Sequence, residues 1–186
     1  LSMDEDDPRK QELLSHARSA GDGLSRIVND VLDFSKMEAG VFPFEKECVD
    51  IRALIESIRI LVTSQDQGAH REILTEIGET VPALFLGDAT RIRQVLSNLV
   101  SNALRYSHDE PIILRVSAAQ PQGDCRLRVE VQDFGVGISE SEIDNLFKDF
   151  SQISKPLSAV TQGTDLGLAI CKRIVNDIGG NISVDS

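Results

Sequence analysis

Asn98 and Asn102 stand four residues apart in the stretch Arg91-Ile-Arg-Gln-Val-Leu-Ser-Asn-Leu-Val-Ser-Asn-Ala-Leu-Arg-Tyr106. On a helix, residues at that spacing share a face. Gln94, Asn98, Asn102 and Arg105 then form a polar stripe. Ile92, Val95, Leu96, Leu99 and Ala103 form an apolar stripe opposite. The apolar stripe accounts for packing. It does not account for two carboxamides facing one way with a cation a turn later. A carboxamide oxygen is a hard ligand suited to Mg²⁺, and an arginine suits phosphate. The polar stripe reads as a metal–nucleotide site carried on a helix.

Two glycine-bearing stretches add to it. Asp133-Phe134-Gly135-Val136-Gly137 follows a strand-like run ending at Val131. A carboxylate there can accept a hydrogen bond from an exocyclic amine such as adenine's, and the glycines let backbone approach a ligand. Taken alone, this pattern favours a simple strand-to-helix turn. Its Asp-Phe-Gly wording also invites comparison with serine/threonine kinases. Those need a glycine-rich loop, a strand lysine and a His-Arg-Asp loop upstream, and this chain has none. Gly163-Thr164-Asp165-Leu166-Gly167-Leu168 precedes a helical run, where backbone N–H groups can meet phosphate. A lone pair of glycines is weak evidence; its weight comes from the order of the motifs.

The elements that must hold these residues follow from the hydrophobic pattern. Pro8 opens a helix in which Leu13, Ala17, Ala20, Leu24, Ile27, Val31 and Phe34 recur in alternating steps of four and three. That is a heptad seam suited to packing on other helices, on a helix roughly 45 Å long that Gly40 ends. Gly21 and Gly23 weaken it locally. Residues 41–49 have strand character. Asp50 caps a helix to about Gln67 that turns Ile51, Leu54, Ile55, Ile58, Leu61 and Val62 inward. Residues 71–77 read as a strand, and Asp88 caps the asparagine helix. Residues 112–118 and 127–131 alternate as strands around a turn at 121–124. Ser139 begins a short helix carrying Ile143, Leu146 and Phe147. Residues 151–164 read as a polar loop, and residues 166–178 as a helix stopped by Gly179-Gly180. Ile182 and Val184 start a last strand. Strands and helices in this order predict an α+β fold, a mixed sheet with helices on one face, preceded by a long helix.

Composition bounds the function. The 186 residues are 41% apolar with no Trp and one Tyr, so the core is aliphatic. The net charge of −11 disfavours nucleic acid and anionic membrane surfaces. No apolar run approaches the roughly 20 residues of a membrane helix, and no signal-peptide pattern opens the chain. Cys48, Cys125 and Cys171 are odd in number and far apart, which predicts buried structural thiols in a reducing, cytoplasmic setting.

The motif order resembles the ATP-binding domain of sensor histidine kinases, within the wider group of gyrase, chaperone and mismatch-repair ATPases. Residues 94–106 look like the family's asparagine box, and 133–137 like its first glycine box. Leu146-Phe147 with Phe150 and Gln152 resembles its phenylalanine box, and 163–167 its second glycine box. Asn29-Asp-Val-Leu-Asp-Phe-Ser-Lys-Met-Glu-Ala-Gly40 looks like the end of the second helix of the dimerisation hairpin, in the wording of hybrid phosphorelay sensors. The resemblance implies a partial hairpin over 1–40 and an ATP-binding catalytic domain over 41–186, with a C-terminal strand beyond the end. It implies ATP and Mg²⁺ as cofactors. Asn102 would hold the metal with Asn98 helping, and Arg105 would touch phosphate. Tyr106 would pack near adenine and Asp133 would hold its amino group. Gly135 and Gly137 would shape the base pocket. Phe150, Gly163, Thr164, Asp165, Leu166, Gly167 and Leu168 would line the lid and phosphate side. The implied partners are a response regulator or receiver domain, and a second copy or another sensor kinase through the hairpin.

Two departures qualify the resemblance, besides the strand that lies beyond the end. The acceptor histidine of the family belongs on the first hairpin helix, ahead of residue 1, and neither His16 nor His108 has its context. No residue of the chain is therefore assigned as catalytic, and the chain alone is expected to lack self-phosphorylation. Asp165 stands where the family has glycine, which leaves open a degenerate module acting by protein–protein interaction. A gyrase-like clamp is a third reading, opposed by the hairpin wording before Gly40.

Overall fold

The computed structural model describes residues 8–40, 43–65, 71–107, 110–119, 125–143, 146–147 and 166–186. Its first helix, α1 (Pro8–Glu38), opens on proline, whose missing N–H would lack an intrahelical partner in a first turn anyway. It closes at Gly40, whose φ of +66° is the left-handed turn that glycine tolerates best. Gly21 and Gly23 lie within it. Of the expected seam, Leu13, Leu24 and Val31 are exposed, while Phe34 is half-buried. The side chains of His16 and Ile27 lie outside the described residues.

A short strand, β1 (Glu47–Asp50), runs straight into α2 (Ile51–Gln65). The Asp50 carboxylate accepts the amides of Arg52 and Ala53 at 2.9 and 3.0 Å, capping the helix. Ile51, Leu54, Ile55, Ile58 and Val62 form its buried face. Leu61, expected inward, is exposed: three residues past Ile58 it rotates to the edge of the stripe. The strand expected over 41–49 is only Glu47–Asp50. Described residues 43–46 are not part of a strand, in keeping with Pro43, which has no ladder donor.

Next come β2 (Ile73–Ile77), the unanticipated β3 (Leu84–Gly87) and α3 (Ala89–Tyr106). Buried Asp88 caps α3 as expected, accepting the Arg91 amide at 3.0 Å. Its other oxygen accepts the Glu45 amide at 3.1 Å, tying the segment before β1 to the start of α3. Strands β4 (Ile112–Ala119) and β5 (Arg126–Gln132) follow. The turn expected at 121–124 lies outside the described residues.

β1 and β3 pair antiparallel as a two-stranded sheet. The other sheet is mixed, in the order β2-β4-β5, with β2 parallel and β5 antiparallel to β4. Alternation along β4 sets its register. Ile112, Leu114 and Val116 are buried with Ile58, Val100 and Leu104 from α2 and α3. On the other face, Arg115 donates to Glu76 on β2 at 2.6 Å and to Gln132 on β5 at 2.9 Å. A one-residue slip would exchange these two sets and bury the arginine. Each fully buried Ile or Leu of this layer is worth roughly 1.5–3 kcal/mol.

The short helix α4 (Glu140–Ile143) stops earlier than expected, and Leu146 and Phe147 lie in a turn beyond it. The last helix, α5 (Leu166–Asp177), ends ahead of Gly179, whose φ is +76°. Ile182 and Val184 form no strand; Ile182 packs beside α5, and the Ser186 hydroxyl accepts the Ile138 amide at 2.7 Å. A second core of Met37, Val95, Ile170, Cys171 and Ile174 fastens α1, α3 and α5 together. The result is the expected α+β arrangement, a mixed sheet with helices and a long helix ahead of it.

Candidate functional site

The helix carrying the two asparagines owes its orientation to its apolar side. Val95, Leu96, Val100, Ala103 and Leu104 are buried, so the opposite residues turn away from the sheet. Val100 and Leu104 extend the stripe beyond the residues that spacing had marked, while Ile92 and Leu99 are only half-buried. Asn98 and Asn102 lie together, half-buried, with the Asn102 Nδ2 donating to Asn98 Oδ1 at 3.1 Å. That bond engages the nitrogen of Asn102 and leaves its oxygen for another partner.

Gln94 does not join them. Its Nε2 donates to Asp33 Oδ2 on α1 at 2.7 Å, and its Oε1 accepts from Arg91 at 3.0 Å. The polar stripe is thus divided: its first residue binds α1, and its next two face a site.

Two glycines close in on α3 from either end. Gly167, buried in the first turn of α5, lies against the Asn98 carboxamide, which a Cβ there would overlap. Gly135 lies against the Tyr106 carbonyl, which a Cβ there would also overlap. The Asp133 Oδ1 accepts the Gly135 amide at 2.9 Å and holds that turn in shape. Its second oxygen is left to accept from a ligand amine. Gly137 follows at φ +72°, a conformation that L side chains rarely adopt. Asp133, Phe134 and Val136 are exposed, so the turn presents both a carboxylate and apolar surface.

At the C-terminal end of α3, the Arg105 guanidinium lies 6.0 Å from the Tyr106 ring centroid, the outer limit of a cation–π contact. Tyr106 is 46% exposed, an aromatic face open to a flat partner. Leu166 begins α5, and Leu168 is half-buried on it. The Lys172 ammonium lies 5.7 Å from the Phe147 ring, tying α5 to the segment that leads toward residue 148. Phe150, Gly163, Thr164 and Asp165 lie outside the described residues, as does all of 151–164.

The structure therefore brings Asn98, Asn102 and Gly167 together at one end, and Tyr106, Asp133 and Gly135 together at the other. The carboxamides can ligate a hard cation, and the amides at the start of α5 can receive an anion. The exposed aromatic and the carboxylate can take a purine. Among the described residues no three His, Cys, Asp or Glu side chains cluster to hold a metal. Sequence reasoning missed Asp33 and Arg71, which bind the two ends of α3 from far along the chain.

A family model described as histidine kinase-, DNA gyrase B- and HSP90-like ATPase matches residues 87–186. The sensor histidine kinase GacS of Pseudomonas protegens is 34% identical over 187 residues, covering 100% of this chain and 20% of that protein. Two-component system protein A of Emericella nidulans is 35% identical over 189 residues, covering 98% of this chain and 27% of that protein. The crystal structure of full-length ShkA in complex with AMPPNP superposes with a TM-score of 0.71 at 28% identity, over 93% of this chain and 35% of that one. The chain thus spans between a fifth and a third of these curated relatives' lengths.

Proposed function

The chain belongs to the histidine kinase-, DNA gyrase B- and HSP90-like ATPase family, and we infer that it is the catalytic domain of that family's sensor histidine kinase branch. On that premise we propose that it binds ATP–Mg²⁺ between α3, the Asp133–Gly137 turn and the start of α5. Residues 41–186 are the ATP-binding domain, and 1–40 belong to a dimerisation hairpin. The parent protein transfers the γ-phosphate to a histidine of that hairpin, for relay to a response regulator or receiver domain.

The observation that carries this reading is the Asn98–Asn102 pair, with Gly167 so close that a Cβ there would push the Asn98 carboxamide aside. The donor set fits the metal. With no carboxylate or imidazole cluster beside it among the described residues, a cation here would be held by carboxamide oxygen and by the nucleotide's own phosphates, as suits Mg²⁺. Bound Mg²⁺ supplies neutralisation of phosphate charge during transfer. Asn102 would offer its oxygen to it, and Asn98 would hold Asn102 in place. Asp133 would accept the adenine amine while its other oxygen keeps the turn closed. Gly135 lets that turn sit against the Tyr106 carbonyl, which brings the carboxylate to the end of α3 that carries the exposed ring. Arg105 would meet phosphate by turning from the Tyr106 ring. Positioning and charge neutralisation are most of what such a transfer needs.

The exposed Leu13, Leu24 and Val31 of α1 support pairing with further hairpin helices, in a second copy or in another sensor kinase. Of the three free cysteines only Cys171 is buried; Cys48 and Cys125, expected to be buried too, are exposed, and free thiols support a reducing, cytoplasmic setting. Among the described residues no helix is long and apolar enough to cross a membrane. The family match favours ATP chemistry over a module that acts by interaction alone. Titration calorimetry with AMPPNP tests the choice. Binding that requires Mg²⁺, and that falls at least about tenfold in Asn102→Ala, is expected. Absence of heat with and without Mg²⁺ leaves the interaction module standing instead.

A further inference from the structure

We propose that Arg71 is a positioning residue of the nucleotide site, holding the last turn of α3 at the height the base pocket needs. The inference rests on the ATP reading above and adds to it a residue from outside every motif.

Arg71 precedes β2, and its guanidinium Nη1 donates to two carbonyls at the end of α3. One is that of Leu104, and the other is that of Ser107, at 2.9 Å. These partners are 33 and 36 residues away along the chain. The last carbonyls of any helix lack intrahelical donors. In α3 the Ala103 carbonyl takes the Ser107 amide at 2.9 Å, which leaves Leu104 as the next in need. A guanidinium meets that need with a rigid set of N–H groups, and its charge also opposes the negative end of the helix dipole. Arg71 is half-buried there, so solvent competes less for its bonds.

What lifts this above ordinary capping is its neighbour. The Tyr106 carbonyl, between the two stapled carbonyls, abuts Gly135 with no space for even a methyl group. A contact so close passes any displacement of the helix end directly to the turn that carries Asp133. Asn98 lies two turns back against Gly167, and Asn102, one turn back, is bonded to it, so the metal side keeps a second anchor that the base side lacks. Loss of Arg71 is therefore felt on the base side of the site before the metal side. A residue that merely stabilised the fold would weaken all nucleotides alike. Arg71 instead sets discrimination between adenine and guanine.

The test uses the whole chain with Mg²⁺ and compares ATP and GTP affinities by calorimetry, with amide hydrogen exchange as an independent readout. In Arg71→Gln, ATP affinity is expected to fall about tenfold with GTP affinity changed less, so the base preference narrows. Exchange at the Ser107 amide is expected to quicken. Arg71→Lys keeps the charge without the fork, and is expected to fall in between on both measures. If Arg71→Gln does not fold, Arg71→Lys decides alone. Unchanged base preference in a folded variant overturns the proposal, as does equal weakening of ATP and GTP. Failure of the unaltered protein to bind ATP would instead strike the functional reading. Quickened exchange at Ser107 would then show the staple without a nucleotide role, and the positioning proposal would fall with that reading.

Discussion

Gly167 of α5 and the Asn98 carboxamide of α3 are in contact across the gap between their helices, and the space of one Cβ separates a working arrangement from an overlap. Each helix contributes one wall of the site. The Cys171 thiol, one turn along α5, meets the Val95 carbonyl at 3.8 Å and marks how tightly the helices are packed.

Gly167→Ala is therefore expected to displace Asn98 and lower AMPPNP affinity about tenfold or more. Its effect on stability is smaller. Alanine in a helix gains up to about 1 kcal/mol over glycine, against about 1–3 kcal/mol for overpacking. Urea unfolding beside calorimetry separates the two. Affinity unchanged in the variant would mean that Asn98 has no ligand to hold.

How much of this was legible beforehand depended on whether the signal was local. The 3.6-residue pattern placed α3 and its cap Asp88 because both are matters of adjacent residues. The glycines at 135 and 167 were legible as points of close approach, though not what they approach, which comes from other elements. Gln94 looked like part of the site because it shares a face with Asn98. Its destination was set by Asp33, 61 residues earlier. β3 is four residues long and follows Pro82, too short for its alternation to stand out. Its pairing with β1 across the whole of α2 is what makes it a strand. Arg71 gave no signal at all, since capping from 33 residues away leaves no pattern.

The Asp33–Gln94 bond joins α1 to the helix that bears the asparagines, and an ion pair of Arg173 with Glu38 at 3.6 Å joins α1 to α5. A double-mutant cycle with Asp33→Ala and Gln94→Ala is expected to give a coupling of about 0.5–1.5 kcal/mol in urea unfolding. The ion pair is half-exposed, and Glu38→Gln should cost under about 1 kcal/mol. Additive single effects at 33 and 94 would mean that the bond does not persist in solution.

Cys171 supplies a pH dependence. It is 1% exposed, and burial, aided by the nearby Asp30 carboxylate, pushes its thiol up to about 12 from an ordinary value of 9.0. The folded state thus holds its proton where the unfolded state has lost it. Stability from this group is complete below pH 9.0 and is lost as pH rises toward 12. Cys171→Ala should show a shallower decline in stability over that window. At pH 8, a thiol reagent should label exposed Cys48 and Cys125 within minutes and leave Cys171 unmodified until the protein unfolds. Rapid labelling of Cys171 in the folded protein would show that the α1–α3–α5 core opens readily.

Asp165 directly precedes α5 in the sequence, so two opposing electrostatic effects are expected of it. A carboxylate at a helix N-terminus is favourable by about 0.3–1 kcal/mol, whereas a triphosphate brought to the same place is repelled by it. Asp165→Gly is accordingly expected to lower the thermal midpoint by a few degrees and to tighten AMPPNP binding severalfold. Asp165→Asn removes the charge and keeps the side chain. Tightening in both variants would assign the effect to charge, and tightening in glycine alone would assign it to the space a backbone needs near phosphate. The salt dependence adds a check, because repulsion between exposed charges fades as the Debye length shrinks below about 10 Å above 0.1 M salt. The advantage of Asp165→Asn over the unaltered chain should therefore narrow as salt is raised. An advantage that held constant with salt would exclude charge as its cause.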